Sequence, residues 1–236
     1  MTSAVLEQQI SSKVAILVGG DSIAGDLVIP PNAAGIVIFA HGSGSGRFSS
    51  RNRFVARSLN AGGFATLLLD LLTEPEDRLD QVTGQFRFDI PLLSRRVMAA
   101  VDWSRSDART KELRIGLFGA STGAAAALVA AAARPAAVGA VVSRGGRPDL
   151  AGSMLEGVQA PTLLIVGGAD DVVIELNRLA MERLHCTGKV AIVPGATHLF
   201  EEPGALEQVC VLASGWFEKH LRPAARAPFA YAAKGA

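Results

Sequence analysis

A chain of 236 residues is long enough for one large domain with a full hydrophobic core, and 49% hydrophobic against 19% charged residues excludes a disordered chain. The formal net charge of +1 removes any electrostatic case for nucleic acid or an anionic membrane as partner. Two cysteines, Cys186 and Cys210, make no disulfide framework and suit a reducing compartment.

The opening residues carry no basic stretch leading into an apolar run and a small-residue cleavage site, so the expected location is the cytoplasm. Lys13–Val18 and Ile23–Ile29 flank Gly19-Gly20-Asp21-Ser22, a hairpin signal, and Pro30-Pro31 ends that ribbon. Gly35–Ala40 is a continuous apolar run that reads as a buried strand, and it leads into HGSGSG at 41–46. Ser49 or Ser50 caps a helix carrying Phe54, Val55 and Leu59, which Gly62-Gly63 stops. Phe64–Leu69 is the next strand, with Asp70 at its carboxyl end, and residues 72–90 are polar and read as loop. Asp89 and Pro91 then open a helix whose Leu93, Val97 and Val101 share one face.

Arg114–Phe118 is again a strand, followed by GASTG and an Ala-rich helix ending near Arg134-Pro135. The uncharged stretch Ile115–Ala133 has the length of a membrane span, but its Ala, Gly, Ser and Thr are far less apolar than a Leu/Ile/Val segment, and Gly119 and Gly123 interrupt it. It reads as strand, turn and helix, and the mean hydropathy of +0.31 fits a parallel sheet covered on both faces. Val138–Ser143, Pro161–Val166 and Lys189–Val193 complete the strands. About sixteen residues separate the first two of these, too few for a lid domain, which predicts an open site. Leu206, Val209, Cys210, Ala213, Trp216 and Phe217 lie on one face of a closing helix. The expected architecture is α/β: one domain over residues 1–222 and a tail at 223–236. Its sheet has roughly eight strands, the first pair antiparallel and the rest parallel, with helices on both faces.

The sharpest chemical signal is Gly119-Ala120-Ser121-Thr122-Gly123. A G-x-S-x-G between strand and helix is a nucleophile elbow, a tight turn that lifts the serine hydroxyl clear of the sheet. That hydroxyl is a poor nucleophile until a base takes its proton. Of four histidines, His185 and His220 read as helix C-terminal dipole partners and His41 belongs to the loop after GIVIFA. His198, between the final strand and the final helix, is the candidate base. The acid that orients it is Asp170 in LLIVGGADDVV, with Asp171 as the nearest rival and Asp149 more distant. The oxyanion donors are expected from the backbone N–H groups of Thr122 and Ser43. The glycine-rich 41–46 lacks both the G-K-[ST] ending of a P-loop and the full dinucleotide-binding spacing.

HGSGSGRFSSRN, LLLDLL, GASTGAAAAL, SRGGRPDLAG, LLIVGGADDVV and VPGATHLFEEPG together resemble the dienelactone-hydrolase-like branch of the α/β hydrolases, from about Lys13 to Leu221. The resemblance implies the α/β-hydrolase fold, Ser121, Asp170 and His198 as triad, and Thr122 and Ser43 as oxyanion donors. Dienelactone hydrolases proper use a cysteine nucleophile, and this sequence has Ser121 there, which points to a general ester, thioester or lactone hydrolase. No cofactor or metal is implied. The expected partner is a small-molecule ester substrate, with neither nucleic acid nor membrane, and a homodimer is left open. Arg47, Arg144 and Arg147 follow strands whose ends gather at the carboxyl edge, where one or two of them are expected to meet a substrate carboxylate. Ion pairing with Asp149 and Glu201 is the competing use for the arginines of these loops.

Overall fold

The computed structural model describes residues 8–222. The tail expected at 223–236 lies outside the described residues. Eight strands form one sheet: β1 (Ile10–Val18), β2 (Asp21–Ile29), β3 (Ile36–Ala40), β4 (Ala65–Leu69), β5 (Ile115–Ala120), β6 (Val138–Arg144), β7 (Thr162–Gly167) and β8 (Gly188–Val193). Their order is β1-β2-β4-β3-β5-β6-β7-β8. The antiparallel relation extends one pair further than the sequence suggests, because β2 is antiparallel to β4 as well as to β1. From β4 to β8 every neighbour is parallel.

Burial explains the two halves. Every residue of β3, β4, β5 and β7 is buried, as befits parallel strands covered on both faces. The hairpin strands instead alternate, with Ile16, Ile23 and Leu27 turned to the core. Helices α1 (Ser50–Ala61) and α6 (Ala205–Leu221) cover one face, around Phe39, Phe64, Phe118 and Phe217. On the other face lie α3 (Ile90–Ser106), α4 (Thr122–Ala133) and α5 (Asp171–Arg183). Helix α4 has almost no polar side because it is buried nearly all round, and its alanines let it sit directly on the strands. The uncharged run 115–133 is thus β5 and α4, and among the described residues no helix is long and apolar enough to cross a membrane.

The polar stretch read as loop contains a further helix, α2 (Glu74–Thr83). Its start is a capping box: the Thr73 hydroxyl accepts from the Glu76 N–H while the Glu76 carboxylate accepts from the Thr73 N–H. Asp80, buried at its far end, accepts from the N–H groups of Phe86 and Arg87 and from the Arg87 guanidinium, which orders the connection to α3. Between β6 and β7 stands only the 3₁₀ segment Pro148–Gly157.

The chain passes from β3 to β4 on one side of β3 and later returns as β5 on the other. Loops leaving β3 and β5 therefore diverge at their carboxyl ends and open a crevice, the usual ligand position in such sheets.

Candidate active site

Both loops at this crevice carry motifs singled out in the sequence. Ser121 sits between β5 and α4 with φ +50 and ψ −122, a backbone conformation that costs a non-glycine residue about 1–3 kcal/mol. Close packing enforces the bend. A methyl group on Gly119 would run into the backbone of Ala124, and one on Gly123 would overlap the carbonyl oxygens of Ala40 and His41. The Ser121 N–H donates to the Arg144 carbonyl at 3.3 Å, and the Ser121 carbonyl accepts from the N–H groups of Ala124 and Arg147, each at 3.1 Å.

His198 reaches the same point from the loop after β8. Its Nε2 is 3.4 Å from the Ser121 hydroxyl, and its Nδ1 is 2.7 Å from the Asp170 carboxylate at the end of β7. The first distance is long for a hydrogen bond. Asp171 is the first residue of α5, and Asp149 is bound to Arg147, so Asp170 is the carboxylate brought to the ring.

Ser43 and Thr122 stand at the two sides of the crevice. Thr122 opens α4, where the first N–H groups have no helical acceptor. Among the described residues neither its N–H nor that of Ser43 donates to a backbone carbonyl. Gly42 brings the Ser43 loop close, since a methyl group there would stand 3.1 Å from the Ser121 Cβ. That loop is tethered by His41. Its Nε2 accepts the Leu71 N–H at 3.0 Å, which places the proton on Nδ1, facing the Gly42 carbonyl at 2.8 Å. Burial holds the His41 pKa below the ordinary histidine value, against the opposing pull of the Gly42 carbonyl and Asp70.

The three arginines expected near substrate separate clearly. Arg47 is engaged by Asp70, through both guanidinium and backbone N–H, and by Asp26 at 3.6 Å. Arg147 makes a two-pronged pair with Asp149 at 2.8 and 2.9 Å. Each of these cations already has a carboxylate. Among the described residues Arg144 has none, and its Nε finds no hydrogen-bond partner there; it is 6% exposed, and burial together with the Arg51 charge pushes its pKa down to about 10. Glu201 is taken by Arg51 at 3.0 Å. Among the described residues no group of three or more His, Cys, Asp or Glu is placed to hold a metal. The remaining histidines lie elsewhere. His185 falls beyond the end of α5, which stops at Arg183, and His220 packs on Trp216 in the last turn of α6.

A cleft of about 990 Å³ runs from the Ser43 loop toward α2 and the β1–β2 turn. Its walls mix Gly42, Ser43 and Phe48 with the paired Arg47–Asp70, Arg78–Glu74 and Arg87–Asp80. Nothing in the sequence indicated this cleft, because α2, which forms its wall, reads as loop. The tether of His41 was equally hidden, since its partner Leu71 lies on another strand end.

Known proteins of this shape and sequence place the chain further. A family model described as the dienelactone hydrolase family matches residues 23–214. A dienelactone hydrolase of known crystal structure from Anabaena variabilis is 56% identical, the match covering 92% of this chain and 100% of that one with a TM-score of 0.90. Est1E from Butyrivibrio proteoclasticus, 17% identical, shares the fold with a TM-score of 0.72 over 88% of this chain and 98% of its own. A Mycobacterium tuberculosis protein provisionally named a phosphoribosyl transferase is 54% identical over 209 residues, 89% of this chain and 46% of its own length. The chain thus spans about half the length of the curated relatives it matches. On the family match and the relative that it covers end to end, the chain belongs to the dienelactone hydrolase family.

Proposed function

We propose that this protein is a serine hydrolase that cleaves carboxylic esters, thioesters or lactones through an acyl-enzyme on Ser121. The observation that carries this reading is the chain of side chains Ser121–His198–Asp170, at 3.4 and 2.7 Å, on a strained elbow. His198 Nε2 takes the Ser121 proton as the oxygen attacks the carbonyl, then returns it to the leaving group. Asp170 fixes the ring with its proton on Nδ1 and stabilises the imidazolium that forms. The N–H groups of Ser43 and Thr122 receive the negative charge that develops on the carbonyl oxygen, and water then releases the acyl group. The cleft meets this site only at its edge, through Gly42 and Ser43, since Ser121, Asp170 and His198 do not line it. It would therefore take a part of the substrate remote from the reacting carbonyl.

The name of the mycobacterial relatives belongs to proteins about twice as long, whereas the family match covers residues 23–214 of this chain. We therefore propose hydrolysis, and not phosphoribosyl transfer, for the present chain. Labelling by a fluorophosphonate probe is the test, since only an activated serine reacts. Wild type should label and turn over a panel of esters of varied acyl length. Ser121→Ala should lose labelling and at least about 10³-fold in kcat/KM. A protein that does not label and hydrolyses no member of the panel is a binding module and overturns the proposal. Faster turnover of nitroanilides than of esters, or acyl transfer to an added alcohol in preference to water, would replace ester hydrolysis with amidase or acyltransferase activity on the same serine.

A further inference from the structure

Arg144 is the only arginine buried among the described residues, and no carboxylate pairs with it. Its contacts are of another kind. Nη2 points to the Asn52 side-chain oxygen at 3.4 Å, in the first turn of α1, and the guanidinium carbon lies 5.8 Å from the centre of the Phe200 ring. Phe200 is two residues past His198 and is buried at φ +57, a conformation a bulky residue keeps only where its surroundings hold it. Gly145, adjoining Arg144, comes so near that a methyl group on it would stand 3.0 Å from the His198 carbonyl and 3.2 Å from the Phe200 ring. On its main-chain side, Arg144 accepts the Ser121 N–H. One residue therefore touches the nucleophile's backbone through its carbonyl and the histidine loop through its side chain.

We propose that Arg144 is a positioning residue: its guanidinium, packed against Phe200, sets the reach of His198 toward Ser121. The inference rests on the reading of those two residues as base and nucleophile. A cation held by an aromatic face and an amide needs no acid of its own, and among the described residues Asp170 is the carboxylate that hydrogen-bonds the His198 ring. The same burial argues against a substrate clamp, because Nε is enclosed and the side chain is committed to Phe200 and Asn52.

The test is steady-state kinetics on a matched pair of esters, one neutral and one bearing a carboxylate, with Arg144→Met, Arg144→Lys, Phe200→Leu and the Met/Leu double variant. Arg144→Met should lower kcat about 10- to 100-fold on both esters with KM within about twofold, the signature of a base held slightly out of reach. Fluorophosphonate labelling should slow in parallel. Arg144→Lys, which keeps a cation for the ring, should recover kcat to within about fivefold of wild type. The double variant should be no worse than the poorer single one, because both remove the same support. A rise in KM confined to the carboxylate ester would make Arg144 a substrate clamp and overturn the proposal, as would additive losses or unchanged kcat. Should Arg144→Met not fold, the Lys and Leu variants decide on the same criteria. Wild type that fails to label would instead bring down the serine-hydrolase reading itself.

Discussion

The elbow at Ser121 and the histidine loop meet at one point but are held there by different balances of backbone and side-chain contact. The elbow is fixed by backbone: Ser121 is bonded through its own N–H and carbonyl, and Gly119 and Gly123 allow main chains to touch. The histidine loop is pinned by backbone only at its start, where Ala196 accepts the Ala169 N–H at 2.9 Å and Gly167 lets main chains touch. Beyond that it leans on side chains, with Phe200 against Arg144, Glu201 on Arg51 and His198 on Asp170. Local backbone contact tolerates no added atom, whereas distant side-chain support can weaken by degrees. Damage to the elbow should therefore appear as lost folding, and damage to the loop as lost turnover in a folded protein.

The largest effect expected is on the loop side. Asp170→Asn keeps the shape but lets the ring settle with its proton on the wrong nitrogen. It should lower kcat about 10⁴-fold while leaving the melting temperature nearly unchanged. Asp171→Asn, altering the residue that opens α5, should leave kcat within about threefold of wild type. Equal losses in the two variants would remove the distinction drawn between these neighbours.

On the elbow side, Gly123→Ala should act on stability first. The added methyl group meets two backbone carbonyls that have no room to retreat. Overpacking of this kind should cost about 3 kcal/mol, or roughly 6–12 °C in Tm for a chain of this size, by thermal unfolding. A variant that melts like wild type yet has lost activity would show that the elbow, too, is tuned and not simply packed.

The same contrast decides what the sequence could reveal. The elbow was legible because its chemistry is local: small residues at fixed spacing between an apolar run and an Ala-rich helix admit few other structures. The strands were legible for the same reason, since continuous apolar runs mark buried parallel strands. His198 and Asp170 could be picked by chain order, and the structure brings His198 to Ser121 and Asp170 to His198. What supports them could not be picked. Nothing in HLFEE marks Phe200 as left-handed, and an arginine after a strand looks the same whether it meets an aromatic ring, a carboxylate or a ligand. Helix α2 escaped for a different reason: its apolar face is slight, and the Thr73–Glu76 capping box was the stronger signal.

The Ser43 loop lies between these extremes, because its tether is a single buried ring. His41→Ala would strand the Leu71 N–H without an acceptor and should cost about 1–3 kcal/mol. The tether also titrates. Burial lowers the folded-state pKa of His41, while the unfolded chain has the ordinary value of about 6.5. Between the two the unfolded state binds more protons, so stability is full above about pH 6.5 and is lost as pH falls through the lowered folded value. His220, lowered chiefly by burial as well, adds a loss of the same sign. His41→Gln, which can still accept from Leu71 but does not titrate, should flatten the part of the acid slope that belongs to the loop. An unchanged slope in that variant would mean that His41 is not the group responsible.

The smallest effect separates packing from surface charge within the histidine loop. Arg51 and Glu201 pair at 3.0 Å, but their side chains are 31% and 65% exposed. In water such a pair is screened, and ordering two long side chains offsets most of the attraction. Glu201→Gln should therefore cost no more than about 0.5 kcal/mol, about 1–2 °C in Tm, and leave kcat within about twofold. Raising the salt concentration should shrink even that difference, since screening already weakens the pair in wild type. A loss in kcat comparable to that expected for Phe200→Leu would mean that the ion pair, and not the buried ring, keeps His198 in place.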